Sequence, residues 1–469
     1  MTTTMAHPDV NSRCAQAALA APAWAATSRP DRAAALRAIA AGLNRSAAMI
    51  INAADTETKL GQPRLRSELT RTTYQLTMFA DLLLDGSYLR TVIEHPDPDA
   101  PVSPRPDLRR TMIPVGPVAV FSASNFPFAF SVAGTDTAAA LAAGCPVIVK
   151  AHPGHPTTSE LVADIVTQAL RDSGAPDGTF ALVDGFDAGP ALMTHPAIRA
   201  AAFTGSVRGG RALFDLAVNR PDPIPFYGEL GSLNSLVVTA AAAAARGPKI
   251  AADLAASVLL GGGQFCTKPG LILLPSTSAG RRLRDDLADQ FTRAAPVHML
   301  TPQVRHGFEN GCAALQLDPG IAVLATGQAA TGAATPVLFG ANADQLPDVA
   351  LDECFGPTAV VADYSDNDSL LTATTRLPGA LTATVHAEPD DHVLLAGLVP
   401  ALAGKVGRLV FNQYPTGVTV SPAMHHGGPY PASTAAAYTS VGAAAVERFL
   451  RPVTFQNAPQ GILPVELRD

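Results

Sequence analysis

VGPVAVFSA (115–123), CPVIVKA (145–151), TFALVDG (179–185) and RAAAFTG (199–205) are the segments whose reading decides the fold. Each is a short apolar run, rich in β-branched or aromatic residues and bounded by Gly or Pro. Between them lie stretches of helical character, such as TDTAAALAAG and TTSELVADIVTQALRDSG. Strand–helix alternation of this kind predicts an α/β fold, a parallel sheet with helices on both faces.

Upstream, residues 28 to 95 read as helices with charged faces (DRAAALRAIAAGLNR; LRSELTRTTYQLTMFADLLLDG). The Pro-rich HPDPDAPVSPRPDLRR (95–110) reads as a loop or the start of an exposed hairpin. Downstream, a second region opens near Pro225 with a strand-like FYGELGSLNSLVV, followed by an alanine-rich helix over 238–260 and then GGGQFCTKPGLILL. The alternation continues through VALDECFGPTAVVADY (349–364) and GRLVFNQYPTG (407–417). The closing ERFLRPVTFQNAP has the character of an edge strand able to pair with another subunit.

The chain has 469 residues, enough for about two or three cores. Hydrophobic residues make up 47% and charged residues 16%, which excludes a disordered chain. The formal charge is -7 and no Lys/Arg run forms a stripe, so no nucleic-acid partner is expected. Five widely spaced cysteines without a CxxC pair suggest a reducing, cytoplasmic compartment and no structural metal. Arg13 followed by AQAALAAPAWAATS resembles a short secretory leader. Its apolar part is mostly alanine and runs into an amphipathic helix, so we read it as part of the fold. No stretch of about 18 strongly apolar residues occurs, and no membrane span is expected.

Several side chains could carry chemistry. Cys266 lies in GGGQFCTKPG, where a glycine-rich approach would give substrate and backbone donors close access to a thiol. A buried core cysteine fits the same local sequence. Glu229, in PFYGELGSLN, is a carboxylate in an apolar setting, suited to a general base or to a solvent-facing turn. Asn125, in FSASNFPF, follows the first strand of the alternating region, as an oxyanion donor or an ordinary turn residue. Lys150 closes the second strand in VIVKAHP. FTGS (203–206) leads into RGGRALFDLA, a strand–turn–helix able to hold phosphates at a helix N-terminus. The GxGxxG fingerprint is absent. Glu353 and Phe355, in DECFGP, fit ribose and ring contacts or a capped loop.

Together and in order, SASNFPF, VIVKAHP, FTGS, ELGS, GQFCT and ECFGP resemble the aldehyde dehydrogenase superfamily over nearly the whole chain. Longer segments, from FSASNFPFAFSVAGTDTAAALAAGCPVIVKAHPGHP to MHHGGPYPAST and YTSVGAAAVERFLRPVTFQN, resemble its α-ketoglutarate semialdehyde dehydrogenase subfamily.

The resemblance implies a Rossmann-like cofactor domain (1–94 and 116–228), an α/β catalytic domain (229–425) and a small β bridging element (95–115 and 440–469). It also implies a homodimer or homotetramer acting on a small-molecule aldehyde. Cys266 is then the nucleophile, Asn125 the oxyanion donor and Glu229 the base that hydrolyses the thioester. Lys150, His152, Gly205, Ser206, Arg208, Glu353 and Phe355 face the cofactor. Relatives that prefer NAD often place a glutamate soon after the lysine matched by Lys150. Here the sequence is Lys150-Ala151-His152-Pro153, so NADP is expected over NAD, with some use of both.

The sequence also departs from the superfamily. GSLN follows Glu229 in place of the more usual glycine–glycine–lysine. Lys268, just after Cys266, could attract an acidic substrate or face solvent. The helix after Asn125 has no Arg or Lys before Lys150, leaving Arg71, in ELTRTTYQL, as the candidate partner for a substrate carboxylate. Acyl transfer to coenzyme A is disfavoured by the presence of Glu229. A non-catalytic fold relative, or a cysteine hydrolase assisted by His195, His425 or His426, remains the alternative of another class.

Overall fold

A computed structural model describes residues 8–469. Its strands are β1 (Val92–Glu94), β2 (Leu108–Pro114), β3 (Val118–Phe121), β4 (Val147–Lys150), β5 (Phe180–Val183), β6 (Ala200–Thr204), β7 (Phe226–Glu229), β8 (Asn234–Val238), β9 (Pro269–Pro275), β10 (Ala322–Thr326), β11 (Val337–Asn342), β12 (Thr358–Tyr364), β13 (Ala380–His386), β14 (Val406–Phe411) and β15 (Leu450–Gln456).

The apolar runs of the alternating region form one parallel sheet, in the order β5-β4-β3-β6-β7. Val118, Val147 and Ala202 are fully buried because helices cover both faces, which is why these strands read as continuous apolar runs. Chain order runs outward from β3 in one direction and then jumps to β6 on its other side. That reversal opens a crevice at the carboxyl ends of β3 and β6, the place where open α/β sheets bind ligands.

Four N-terminal helices lead into this unit: α1 (Pro8–Ala26), α2 (Arg29–Arg45), α3 (Ala47–Thr58) and α4 (Gln62–Asp85). The segment with leader-like composition is α1, whose Cys14, Ala17 and Trp24 are buried. Among the described residues no single helix is long and apolar enough to cross a membrane; α2 and α3 together reach that length and composition only as a pair bent by 70°.

The second sheet has seven strands, β10-β11-β12-β9-β8-β13-β14, parallel except for β10. The sequence led us to expect one strand over FYGELGSLNSLVV. The structure divides it instead: β7 closes the first sheet, and β8 enters the second after a turn at 230–233. Both halves are buried, so the apolar pattern runs on without a break although the backbone changes sheet.

A third, antiparallel sheet has the order β1-β2-β15, with β15 at its edge. The Pro-rich stretch ahead of β2 is a loop closed by a bridge between Asp97 and Arg105. Between β14 and β15 the chain returns to the first sheet. Leu230 N–H donates to Ala432 O at 2.8 Å and Gly228 N–H to Thr434 Oγ1 at 2.9 Å, while Ala445, Val446 and Phe449 join the first core.

Candidate active site

The site lies between the carboxyl ends of the first sheet and the amino ends of β8, β9 and β12. Cys266 precedes β9 on a turn in which Gly261, Gly262 and Gly263 all have positive φ (57°, 71° and 68°), which residues with a side chain rarely adopt. A Cβ on Gly263 would stand 2.0 Å from the carbonyl oxygen of Gly356. The glycine run therefore lets the loop carrying Glu353 and Phe355 close against the loop carrying Cys266.

Glu229 ends β7 and is buried. Its Oε1 meets His426 Nε2 at 3.0 Å and its Oε2 accepts from Ser440 Oγ at 2.5 Å. The same His426 Nε2 lies 3.6 Å from Cys266 Sγ. The fold thus draws Cys266, Glu229 and His426 together, their donor atoms all within 4.8 Å of one another. Burial alone would raise the Glu229 carboxyl. Attraction and a hydrogen bond from His426, with hydrogen bonds from Ser440 and Cys266, outweigh it and hold the group below the usual carboxylate range. Burial pushes the Cys266 thiol well above its ordinary value; the Glu229 and Glu353 charges add to this and Arg71 opposes it. The thiol needs cationic or dipolar help to ionise.

Asn125 follows β3 and is buried; its Nδ2 donates to Gln264 O at 3.1 Å, two residues before the thiol. That bond fixes the amide beside Cys266 and uses one of its two N–H groups. Arg64 braces the turn by donating to Asn125 O at 2.7 Å, its guanidinium lying over Phe265 at 4.7 Å from the ring centroid.

Arg71 points to the same place. One Nη1–H donates to Val418 O, whereas Nε and Nη2 are buried without a partner, and the guanidinium lies 5.8 Å from the Phe130 ring centroid. Burial lowers its pKa, while the Cys266, Glu68 and Glu229 charges raise it. A buried cation with idle donors is costly unless it binds an anion. Arg408 also feels the Cys266 charge, but its Nη groups are taken by Gly417 O and Pro415 O.

Lys268 lies elsewhere. It is buried, with Nζ donating to Thr358 O at 2.7 Å and Cys354 O at 2.9 Å. It ties β12 and the loop ahead of it to the start of β9, and its charge is engaged by these carbonyls and shut off from solvent. The reading of Lys268 as a substrate-attracting charge is corrected accordingly.

On the other side of the crevice, Lys150 ends β4 and is half-buried, and its ammonium group makes no hydrogen bond or ion pair among the described residues; Asp184 is close enough to act on it electrostatically. His152 follows on a loop, stacked on His155 and accepting Gly154 N–H at 3.0 Å. Burial, His155 and Lys150 push its pKa down to about 3, so it is a neutral ring that adds no positive charge. Gly205 and Ser206 are exposed at the end of β6; Ser206 caps the helix Val207–Asn219 by accepting Gly209 N–H at 3.2 Å, and Arg208 is exposed on its first turn.

Glu353 and Phe355 are half-buried. Glu353 packs against Gly231: a Cβ there would stand 2.4 Å from Glu353 Oε2. Burial pushes the Glu353 carboxyl up to about 7, against the Lys268 charge and a backbone hydrogen bond from Ser232. Ser122 Oγ, just past β3, and Thr204 Oγ1, at the end of β6, are buried hydroxyls without a partner. Unpaired hydroxyls on the two strands flanking the crevice suit a polar ligand laid across it.

The geometry defines a class first: a thiol and a buried carboxylate facing a doubly wound sheet with a dinucleotide-type crevice. The chain belongs to the aldehyde dehydrogenase family: the family model described as "Aldehyde dehydrogenase family" matches residues 2–452. It is 45% identical over 94% of its length to the alpha-ketoglutaric semialdehyde dehydrogenase of Acinetobacter baylyi, covering 85% of that protein. It is 43% identical over 99% of its length to alpha-ketoglutaric semialdehyde dehydrogenase 2 of Azospirillum brasilense, covering 90%. The solved structure of PnpE in complex with nicotinamide adenine dinucleotide superposes with a TM-score of 0.81 at 19% identity, over 96% of this chain and 90% of that one. The protein is an oxidoreductase acting on aldehydes.

Proposed function

We propose that this enzyme oxidises α-ketoglutarate semialdehyde to α-ketoglutarate through a thioester on Cys266, preferring NADP. The observation that carries the reading is the meeting of the Cys266 thiol and the Glu229 carboxylate at the mouth of the crevice. In that reading Cys266 first loses its proton to solvent, and the thiolate attacks the aldehyde carbon. The free N–H of Asn125 and the backbone N–H of Cys266 receive the oxygen as it gains charge; one such donor is typically worth about 10²–10³ in rate. The nicotinamide cofactor, when bound, accepts the hydride. Glu229 then takes a proton from the water that attacks the thioester, releasing the acid and the thiol.

Ser122, Lys150, Gly205, Ser206, Arg208 and Glu353 are the residues fitted to hold the dinucleotide, with Phe355 at the edge of the same loop. The Lys150 ammonium, without a hydrogen-bond partner among the described residues, and exposed Arg208 offer positive charge to a 2′-phosphate, and no carboxylate follows Lys150 before Pro153. Steady-state kinetics with both cofactors are expected to give the higher kcat/KM with NADP. A value at least tenfold higher with NAD would reverse this assignment.

Substrate choice rests on Arg71, whose two idle donors suit the carboxylate of a keto-acid aldehyde. A hydrogen bond to a charged group contributes about 1.5–3 kcal/mol, so Arg71→Ala should lower kcat/KM for α-ketoglutarate semialdehyde roughly tenfold to a hundredfold. Butanal, which has no carboxylate, should lose no more than about threefold, well under the worth of one such bond. Equal losses on both aldehydes would remove Arg71 from carboxylate recognition. Strand β15, exposed along the edge of its sheet, is the surface we assign to pairing between subunits of a homodimer or homotetramer.

A further inference from the structure

We infer that Cys266, Glu229 and His426 form a preorganised binding site for Zn²⁺, through which the free metal ion reversibly shuts the enzyme off. The inference rests on the reading that Cys266 and Glu229 share one site, and extends it to a ligand that neither catalysis nor the cofactor requires.

The three side chains offer one sulfur, one nitrogen and one oxygen donor, the mixed set that Zn²⁺ takes. With bonds near 2.3 Å to sulfur and 2.0–2.1 Å to nitrogen and oxygen, a tetrahedral ion places ligand atoms about 3.4–3.6 Å apart. Here Nε2 lies 3.6 Å from Sγ and 3.0 Å from Oε1, and no pair exceeds 4.8 Å. Small side-chain adjustments would seat the ion, and a fourth position would stay open to water.

The surroundings favour this arrangement. Ser440 Oγ donates to the far oxygen of Glu229 at 2.5 Å, an outer contact of the kind that orients a ligating carboxylate. The backbone N–H of His426 donates to Thr439 Oγ1 at 2.9 Å, which fixes the segment that carries the imidazole. On binding, the thiol proton leaves to solvent and the imidazole carries its remaining proton on Nδ1, so thiolate, carboxylate and dication sum to zero charge. The other charges acting on Cys266 are Glu353, which favours a cation, and Arg71 and Arg408, which oppose it. Occupancy removes both the nucleophile and the hydrolytic base.

Full-length reduced protein, without cofactor or aldehyde, is titrated with ZnCl₂ against a fluorescent zinc indicator, with MgCl₂ as control. Iodoacetamide labelling of Cys266 is followed by mass spectrometry in parallel. One equivalent of Zn²⁺ should bind, block labelling, and be released by EDTA with labelling restored; Mg²⁺ should do nothing. Losing a ligand costs at least what a lost outer contact does, so His426→Ala should bind Zn²⁺ more than about tenfold to a hundredfold more weakly. Labelling of its Cys266 without metal, with buried Cys14, Cys145 and Cys312 left unlabelled, shows that the variant is folded with an open site. Equal zinc affinity in wild type and His426→Ala, or zinc retained after Cys266 is alkylated, overturns the site. None of these readouts requires turnover, so a wrong substrate assignment leaves them unchanged, and an active enzyme indifferent to zinc defeats only this inference.

Discussion

Replacing Cys266 with alanine is expected to abolish aldehyde-dependent reduction of the nicotinamide cofactor, by on the order of 10⁴-fold or more in kcat, because without the sulfur no thioester forms. The thiol is partly exposed in the crevice and contributes little to packing, so the variant should unfold within about 1 kcal/mol of the parent. Activity lost with stability kept separates a nucleophile from a core cysteine, the distinction the local sequence left open. Ionisation supplies a second readout. Burial and the Glu229 and Glu353 charges raise the thiol, so without cofactor its alkylation should be slow at neutral pH and accelerate as pH rises. A Cys266→Ala protein that still turned over aldehyde would move the chemistry to another residue.

The parallel sheet was legible because strands buried on both faces leave a simple trace, an apolar run closed by Gly or Pro. The passage from Phe226 to Val238 was not, since a crossing between sheets inside a continuous core leaves the hydrophobic pattern unbroken. Cys266, Glu229 and Asn125 stood out by residue type against apolar or glycine-rich surroundings, and the fold brings them to one crevice.

His426 stood out only as one of three histidines in the sequence suited to assist a thiol. Its contact with Glu229 spans 197 positions and exists because the chain after β14 returns to the first sheet. The adjacent histidines of MHHGG were the visible signal, but they did not say which ring turns inward; His426 is buried and His425 is only half-buried. Lys268 misled for the converse reason. A lysine in a turn reads as exposed, and the carbonyls that occupy it come from the start of a distant strand.

Replacing Glu229 with glutamine should leave acylation largely intact and stall deacylation. Gln keeps the shape of the side chain and an oxygen able to accept from His426 or Ser440, but it cannot take a proton from water. Rapid mixing of the variant with aldehyde and cofactor is expected to give a burst near one reduced cofactor per active site. Turnover slower by roughly 10²–10⁴-fold should follow, the range a positioned acid–base group supplies. Intact-mass measurement after the burst should find the acyl group on Cys266. The ring of His426 lies 3.6 Å from the same sulfur and offers the main competing route, with Glu229 merely orienting a histidine base. Under that arrangement Glu229→Gln would lose only part of its turnover and accumulate no thioester, whereas His426→Ala would show the burst. A burst confined to the Glu229 variant places the hydrolytic base on the carboxylate and leaves His426 as the neighbour that holds it in position.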